Sequence, residues 1–175
     1  MYNQPLTDVA SIIWDVPVGR GRQWGGWRLG LINNVWGPQP VNLTWTVSPQ
    51  FQVSSDTVQR PNVLGPIMLP VDKRTAQQSF VVANVVIPKD PSQPFGTTVR
   101  NIGLGFPLYD IDVGQQKEFL LHIEKMRLQF RAEAFNLFNH TNFNAPSGDR
   151  SATTFDEVSS TEPARELQFG AKLYW

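Results

Sequence analysis

The chain has 175 residues, enough for one domain with a sizeable core, and its 15 basic and 15 acidic residues cancel. This balance gives no global attraction to nucleic acid, and the absence of cysteine excludes disulfide frameworks, thiolate metal sites and thiol nucleophiles. No segment approaches the ~20 consecutive apolar residues of a membrane helix, and no signal peptide is visible in residues 1–20.

Fourteen prolines and thirteen glycines favour all-β structure with long loops over long helices. The first two predicted strands lie in residues 7–16 and 27–36, on either side of a glycine-rich turn, and they predict a hairpin. Their alternating apolar positions are Ala10, Ile12, Trp14 and Val16, then Trp27, Leu29, Leu31 and Val35.

Residues 37–106 are rich in Pro, Gly and Asn and predict a long loop with little regular structure. A strand can continue or re-enter at residues 41–47, and residues 79–88 form a short apolar run. A compact domain seldom carries a loop of this length unless the loop has a function.

Regular alternation returns in the last third of the chain. Residues 107–119 and 126–134 each predict a strand, joined by a turn near residues 120–125. A helix over residues 124–138 is the alternative for the second of these, although the alternation favours a strand that ends or bulges at Phe135. A second long loop follows at residues 139–165, and residues 166–175 form a closing strand.

These strands carry charge on one face and apolar side chains on the other, which fits either a soluble sandwich or a membrane barrel. Short turns at one end and long loops at the other are typical of outer-membrane barrels. In a barrel, alternating charges would face the lumen and pair across strands; these are Asp110, Asp112, Arg127, Arg131 and Glu133. Indole rings collect at membrane interfaces, so Trp14, Trp27 and Trp175 are predicted to form an interfacial girdle.

Catalytic and metal-binding interpretations have less support. Asp110 and Asp112 would lie about 6–7 Å apart on one strand, a spacing that a glycosidase acid–base pair can use, but lumen-facing charge explains them better. His122 and His140 are separated by a strand and belong to no HExxH motif. The asparagine-rich runs favour side chains bonded to nearby backbone over glycan or ligand binding. We therefore predict no enzymatic activity, no cofactor and no metal site.

Six stretches resemble the carboxy-terminal barrel of TonB-dependent outer-membrane receptors, in particular the Oar-like group with a carboxypeptidase-regulatory-like amino-terminal domain. They are "VPVGRGRQWGG", "GWRLGLINNVWGPQPV", "QRPNVLG", "PLYDIDVGQQKEF", "RLQFRAEAFNLFNHTNFNAP" and "SSTEPARELQFGAKLYW". Taken in this order, the six stretches cover nearly the whole chain, and the last two are the most specific.

The resemblance implies a barrel of about 22 strands in the outer membrane of a Gram-negative bacterium. Such a barrel is plugged by an amino-terminal domain and takes up nutrients with energy delivered by TonB. Residues 1–175 show no plug and no TonB box, so we expect a partial barrel of carboxy-terminal strands that does not transport alone. The implied partners are outer-membrane lipid, the barrel-assembly machinery and, through the missing plug, TonB.

The last strand has a specific implied role. Leu167, Phe169, Leu173 and Trp175 would close the barrel, and the final aromatic residue would be part of the signal that the barrel-assembly machinery reads. Relatives usually end on Phe, and they have a glycine-rich "FG" where this chain has Asp156 after Phe155. Two alternatives stay open, a soluble carbohydrate-binding module and a truncated structural remnant, and the transported ligand is not identified.

Overall fold

The computed structural model describes residues 4–17, 25–52, 57–121 and 126–175. The strands in these ranges are, in chain order, β1 (Thr7–Asp15), β2 (Trp27–Trp36), β3 (Pro40–Val41), β4 (Trp45–Thr46), β5 (Val58–Gln59), β6 (Asn62–Val63), β7 (Val85–Val86), β8 (Gly103–Leu104), β9 (Leu108–Leu120), β10 (Arg127–Phe135) and β11 (Glu166–Tyr174). Three short 3-10 helices accompany them, at Pro49–Phe51, Val71–Lys73 and Val82–Asn84. No helix in these ranges is long and apolar enough to cross a membrane.

The chain divides into two compact units. The first, here called the sheet unit, comprises Leu6–Trp36, Leu108–Asn142 and Pro163–Trp175. The second, the loop unit, comprises Met1–Pro5, Gly37–Pro107 and Phe143–Glu162.

The sheet unit contains one antiparallel sheet in the order β1-β2-β9-β10-β11. β1 pairs with β2 from Thr7 opposite Trp36 to Asp15 opposite Arg28, which confirms the predicted hairpin. β10 pairs along its length with both β9 and β11, so the strand prediction is confirmed and the helix alternative is wrong. β10 ends at Phe135 because Asn136 takes a left-handed conformation with φ of 48°.

The connections of this sheet are unequal, as the sequence predicts. Because neighbouring strands are antiparallel, residues 37–107 and 136–165 both leave one end of the sheet. Residues 16–26 and 121–126 connect strands at the opposite end. Parts of these two turns, with Trp24 and His122, lie outside the described residues.

The loop unit has little regular structure, which confirms the predicted long loops, but it has a hydrophobic core that the sequence analysis did not predict. Its strands are two residues long and pair as β3 with β8, β4 with β5 and β6 with β7. The core consists of Val41, Leu43, Ile67, Phe80, Val85 and Phe155. A smaller cluster packs Trp45, Val47 and Phe51 together.

A buried carboxylate joins the two long connections inside the loop unit. Asp156 is 1% exposed and accepts hydrogen bonds from the backbone N–H groups of Ser79 and Phe80 at 2.8 and 2.9 Å. Burial raises the pKa of Asp156, against the effect of these two bonds. Its φ of 72° is one that glycine adopts easily and that other residues adopt only with backbone strain. The side-chain bonds offset the backbone strain.

Candidate functional site

The strand register sorts the side chains of the sheet onto two faces, because residues directly opposite each other point the same way. Leu128 lies opposite Leu173 on one side and Phe119 on the other, so apolar positions coincide across three strands. We call this the apolar face. Its apolar and aromatic residues are Ala10, Ile12, Trp14, Trp27, Leu29, Leu31, Val35, Tyr109, Ile111, Val113, Phe119, Leu128, Phe130, Ala132, Ala134, Leu167, Phe169, Ala171 and Leu173. Four polar residues, Asp8, Asn33, Gln115 and Lys117, lie among them on the same face.

The apolar face is uncovered within the sheet unit. Ile12 is 61% exposed, Leu167 59% and Phe169 69%. Phe130 and Phe169 stack across β10 and β11 with ring centroids 6.4 Å apart. A contiguous apolar surface of this kind marks a partner or membrane contact.

The opposite, polar face holds the five predicted lumen-facing residues, Asp110, Asp112, Arg127, Arg131 and Glu133. A concavity of about 500 Å³ opens on this face and is lined by Arg28, Asp112, Arg131 and Glu133 among others. Gly30 and Gly114 are directly opposite each other in its floor, so no side chains fill the space above them. Three of the five predicted residues, Asp112, Arg131 and Glu133, line this concavity, whereas Asp110 and Arg127 lie on the same face outside its lining.

The ion pairs on the polar face differ in part from the predicted cross-strand pattern. Arg28 pairs with Asp15 across two strands at 2.6 Å. Arg131 instead pairs with Glu133 on its own strand at 3.0 Å, because Gln116 and Gly170 lie opposite Arg131. No acidic side chain is directly across from this arginine.

The polar face is not polar throughout. Val9 and Ile13 on β1 lie on this side, next to Ile32 on β2, and Ile13 is 76% exposed. The alternation at Ala10, Ile12, Trp14 and Val16 predicts only the other face of β1. The signal that reveals the second set is alternation at Val9, Ser11 and Ile13 in the same segment.

Two of the three predicted girdle tryptophans lie together. Trp14 and Trp27 are on the apolar face at the end of the sheet that carries the short connections. Trp175 follows β11 at this same end and is 94% exposed. Lys117, opposite Trp27, places its Nζ 4.4 Å from that indole ring and 4.7 Å from the ring of Phe119. An amphipathic aromatic and basic cluster at a strand end is typical of a membrane interface.

The closing strand β11 lies at one edge of the sheet and β1 at the other. In the described part of the chain β11 pairs with β10 alone and β1 with β2 alone. Leu167, Phe169 and Leu173 therefore lie on a strand whose outer backbone groups have no ladder partner in this sheet. The sheet is open, with two edges that further strands can extend.

Three asparagines hold the ends of β9, β10 and β11 together, and we call Asn136, Asn139 and Asn142 the asparagine clasp. The Asn142 carboxamide donates to Tyr109 O at 2.8 Å and accepts from Tyr109 N–H at 2.9 Å, as a neighbouring strand would. Asn136 donates to the carbonyl of Pro163 at 3.2 Å, and Asn139 accepts from the N–H of Arg165 at 3.0 Å.

The clasp corrects the prediction that the asparagine-rich runs bond to nearby backbone. Asn136 does so, through His140, but Asn139 and Asn142 bond to backbone 26 and 33 residues away. The clasp also fixes the tautomer of His140. Because Asn142 Oδ1 is already an acceptor for Tyr109, His140 Nδ1, 2.9 Å away, carries the proton and donates to it.

The carboxylate of Asp112 has a structural partner in the backbone. Asp112 Oδ1 accepts a hydrogen bond from the N–H of Asn136 at 3.0 Å, so this carboxylate shapes the end of β10. Among residues 4–17, 25–52, 57–121 and 126–175, no group of three His, Cys, Asp or Glu side chains is placed to hold a metal ion.

Residues 1–168 match the protein family described as outer membrane beta barrel domain. Searches of curated proteins and of solved structures find no match. The match covers almost the whole chain, and it agrees with the antiparallel sheet, the exposed apolar face and the unequal connections. The chain belongs to the outer membrane beta barrel domain family and is a barrel-type outer-membrane protein.

Proposed function

We propose that this chain is the carboxy-terminal barrel segment of a TonB-dependent receptor of the Oar-like group, which takes up a nutrient across the outer membrane. The observation that carries the proposal is the sheet itself. It is an up-and-down sheet with one apolar face, one concave polar face, and long connections at one end only. The chain has no enzymatic role in this proposal.

The open sheet accounts for the dependence on further strands. A barrel of about eight strands has an interior that side chains alone can fill, and a barrel that holds a plug is wider. Five strands with free edges at β1 and β11 therefore need additional strands to satisfy their backbone groups in lipid. Transport requires the complete barrel and its plug, through which TonB acts.

Each surface has a role in this proposal. The apolar face contacts lipid, and Trp14, Trp27 and Trp175 lie at the headgroup level. The charged residues of the polar face line the lumen. β11 pairs with the first strand of the barrel, and its aromatic end engages the barrel-assembly machinery.

The membrane part of the proposal is tested by fractionation. The chain is expressed with a signal peptide in a Gram-negative host, and the outer membrane is extracted with detergent. We expect the chain in this extract. Phe169→Asp, which places a charge in the middle of the apolar face of β11, should lower the recovered amount several-fold. A charge against lipid is destabilising, by about 2–4 kcal/mol for Arg or Lys at the bilayer midplane and by less for Asp. Gln168→Asp, one residue away on the polar face, is the matched control and should not change the recovered amount.

A stable monomer in buffer without detergent would contradict the membrane assignment. The receptor assignment has a separate test. The genomic sequence upstream of the first codon should encode, in frame, a plug with a TonB-binding segment and more strands. A gene in which the complete barrel lacks any plug would show an outer-membrane barrel of another kind.

A further inference from the structure

The loop unit contains a pocket that the membrane role of the chain does not explain. Its volume is about 530 Å³, and its walls come from residues 42–44, 58–60 and 95–100. Small-molecule sites in proteins are typically about 300–1,000 Å³. The side chains that give this pocket its chemistry are Arg60, Arg100, Phe95, Val58 and Asn42.

The backbone around the pocket is closely packed. A Cβ on Gly96 would overlap the carbonyl oxygens of Arg60 and Pro61, so only glycine permits the two walls to approach this closely. The carbonyl of Arg60 also accepts a hydrogen bond from Trp45 Nε1 at 3.1 Å, and this indole is 3% exposed. The wall that carries Arg60 is therefore anchored to a buried side chain.

The opposite wall is anchored as well. Asn42 Oδ1 accepts a hydrogen bond from the backbone N–H of Asn101 at 2.8 Å. This bond ties Asn42 to the residue that directly follows Arg100 in the chain. Thr98 N–H donates to Pro61 O at 3.2 Å, so the stretch that carries Phe95 and Arg100 is bonded to the stretch that carries Arg60. These bonds hold the pocket in shape before any ligand binds, so the site is preorganised.

The charges in the pocket have one sign. Arg60 and Arg100 both line it, and among the residues that the structure describes no acidic side chain does. Neither guanidinium forms an ion pair with any residue that the structure describes. The planar fork of an arginine matches a carboxylate, which it can bind through two parallel hydrogen bonds.

An apolar surface lies beside these charges. Phe95 is 69% exposed and Val58 is 53% exposed, and both line the same pocket. An aromatic ring left in solvent at the mouth of a preformed pocket is available for stacking against a flat group. Pairing of a cationic and an aromatic wall selects a ligand that is anionic at one end and flat at the other.

We propose that this pocket binds a small organic carboxylate that carries an aromatic ring. Arg60 and Arg100 hold the carboxylate and Phe95 contacts the ring. Binding itself requires only the loop unit. Its role as the capture site for the transported nutrient rests on the proposed function, in which the long connections face outside the cell.

The test uses the full chain refolded in a non-ionic detergent and 4-fluorobenzoate as the probe, with binding followed by ¹⁹F NMR. We expect saturable binding that 4-fluorobenzamide, which lacks the charge, does not reproduce. Arg60→Gln and Arg100→Gln should each weaken binding about tenfold, because each removes one of the two guanidinium groups that bind the carboxylate. Phe95→Ala should weaken binding of the fluorobenzoate several-fold.

Lys73→Gln is the control, because Lys73 is an exposed cation of the loop unit outside the pocket lining. Equal probe affinity in Lys73→Gln, Arg60→Gln and Arg100→Gln would overturn the site, as would equal affinity for the acid and the amide. Thermal unfolding of each variant excludes loss of fold as the cause. Arginine-dependent binding by a chain that fractionates as a soluble monomer would support the site and refute the receptor assignment.

Discussion

Replacement of Asn142 by alanine should separate the ends of β9 and β10. The Asn142 side chain is 2% exposed and satisfies both the N–H and the C=O of Tyr109, at 2.9 and 2.8 Å. A backbone group left without a partner costs about 1–3 kcal/mol, so two of them set a range of about 2–6 kcal/mol. Because Tyr109 is 48% exposed, water can replace part of the lost bonding, and we expect a loss of about 2–3 kcal/mol in the free energy of unfolding.

The assay is a urea titration of the full chain in lipid vesicles, followed by tryptophan fluorescence. Asn144→Ala is the matched control, since Asn144 makes a side-chain bond to the exposed hydroxyl of Ser160 at 2.9 Å. We expect this control to lose less than about 1 kcal/mol. If Asn142→Ala is no less stable than Asn144→Ala, the carboxamide does not act as a strand partner and the reasoning is refuted.

Two further predictions concern the loop unit and the closing strand. Because burial raises the pKa of Asp156, its contribution to stability is fully present below the unfolded value of about 3.9 and is lost as the pH rises through the folded pKa. The urea midpoint should therefore fall with rising pH above about 4, and Asp156→Asn should remove that slope; an unchanged slope would show that another group titrates. Gly148→Ala places a Cβ against the backbone carbonyl of Asn42 and should cost about 1–3 kcal/mol, whereas a Cβ on Gly170 meets nothing within 4 Å, so Gly170→Ala should be neutral or slightly stabilising. Equal unfolding midpoints for the two alanine variants would contradict the close approach at Gly148.

The long strands were predictable because their information is local. Met126 to Ala134 alternate with a period of two, and the charged residues at Arg127, Arg131 and Glu133 fall on the other face. This period fits a strand with one apolar face, and the structure pairs the segment on both sides. Phe135 breaks the alternation at the residue where the strand ends.

The core of the loop unit was not predictable because its information is not local. Phe80 packs against Phe155, with ring centroids 6.0 Å apart, and the two residues belong to different long connections. No period in either segment indicates the other. Likewise, the sequence shows an acidic residue at Asp156 but not that it becomes the buried acceptor for Ser79 and Phe80.

The candidate site was predictable where its information is local and not predictable where it depends on tertiary contacts. Alternation placed Asp110 and Asp112 on the face that the structure makes concave, since direction follows from position along a strand. Pairing between charges depends on register, which alternation does not fix, and Arg131 therefore binds Glu133 along the strand. The arginine pocket of the loop unit was missed because residues 42–44, 58–60 and 95–100 meet only in three dimensions.

The central claim is that one face of the closing strand contacts lipid and the other faces the lumen. The chain has no cysteine, so single cysteines can be introduced and spin-labelled one at a time along β11 in the full chain, inserted in lipid bilayers. We predict that labels at Leu167, Phe169 and Leu173 collide with oxygen dissolved in the lipid, while labels at Gln168 and Lys172 collide with a water-soluble nickel complex. Equal access of the nickel complex to both sets would contradict the claim and show a strand with water on both faces.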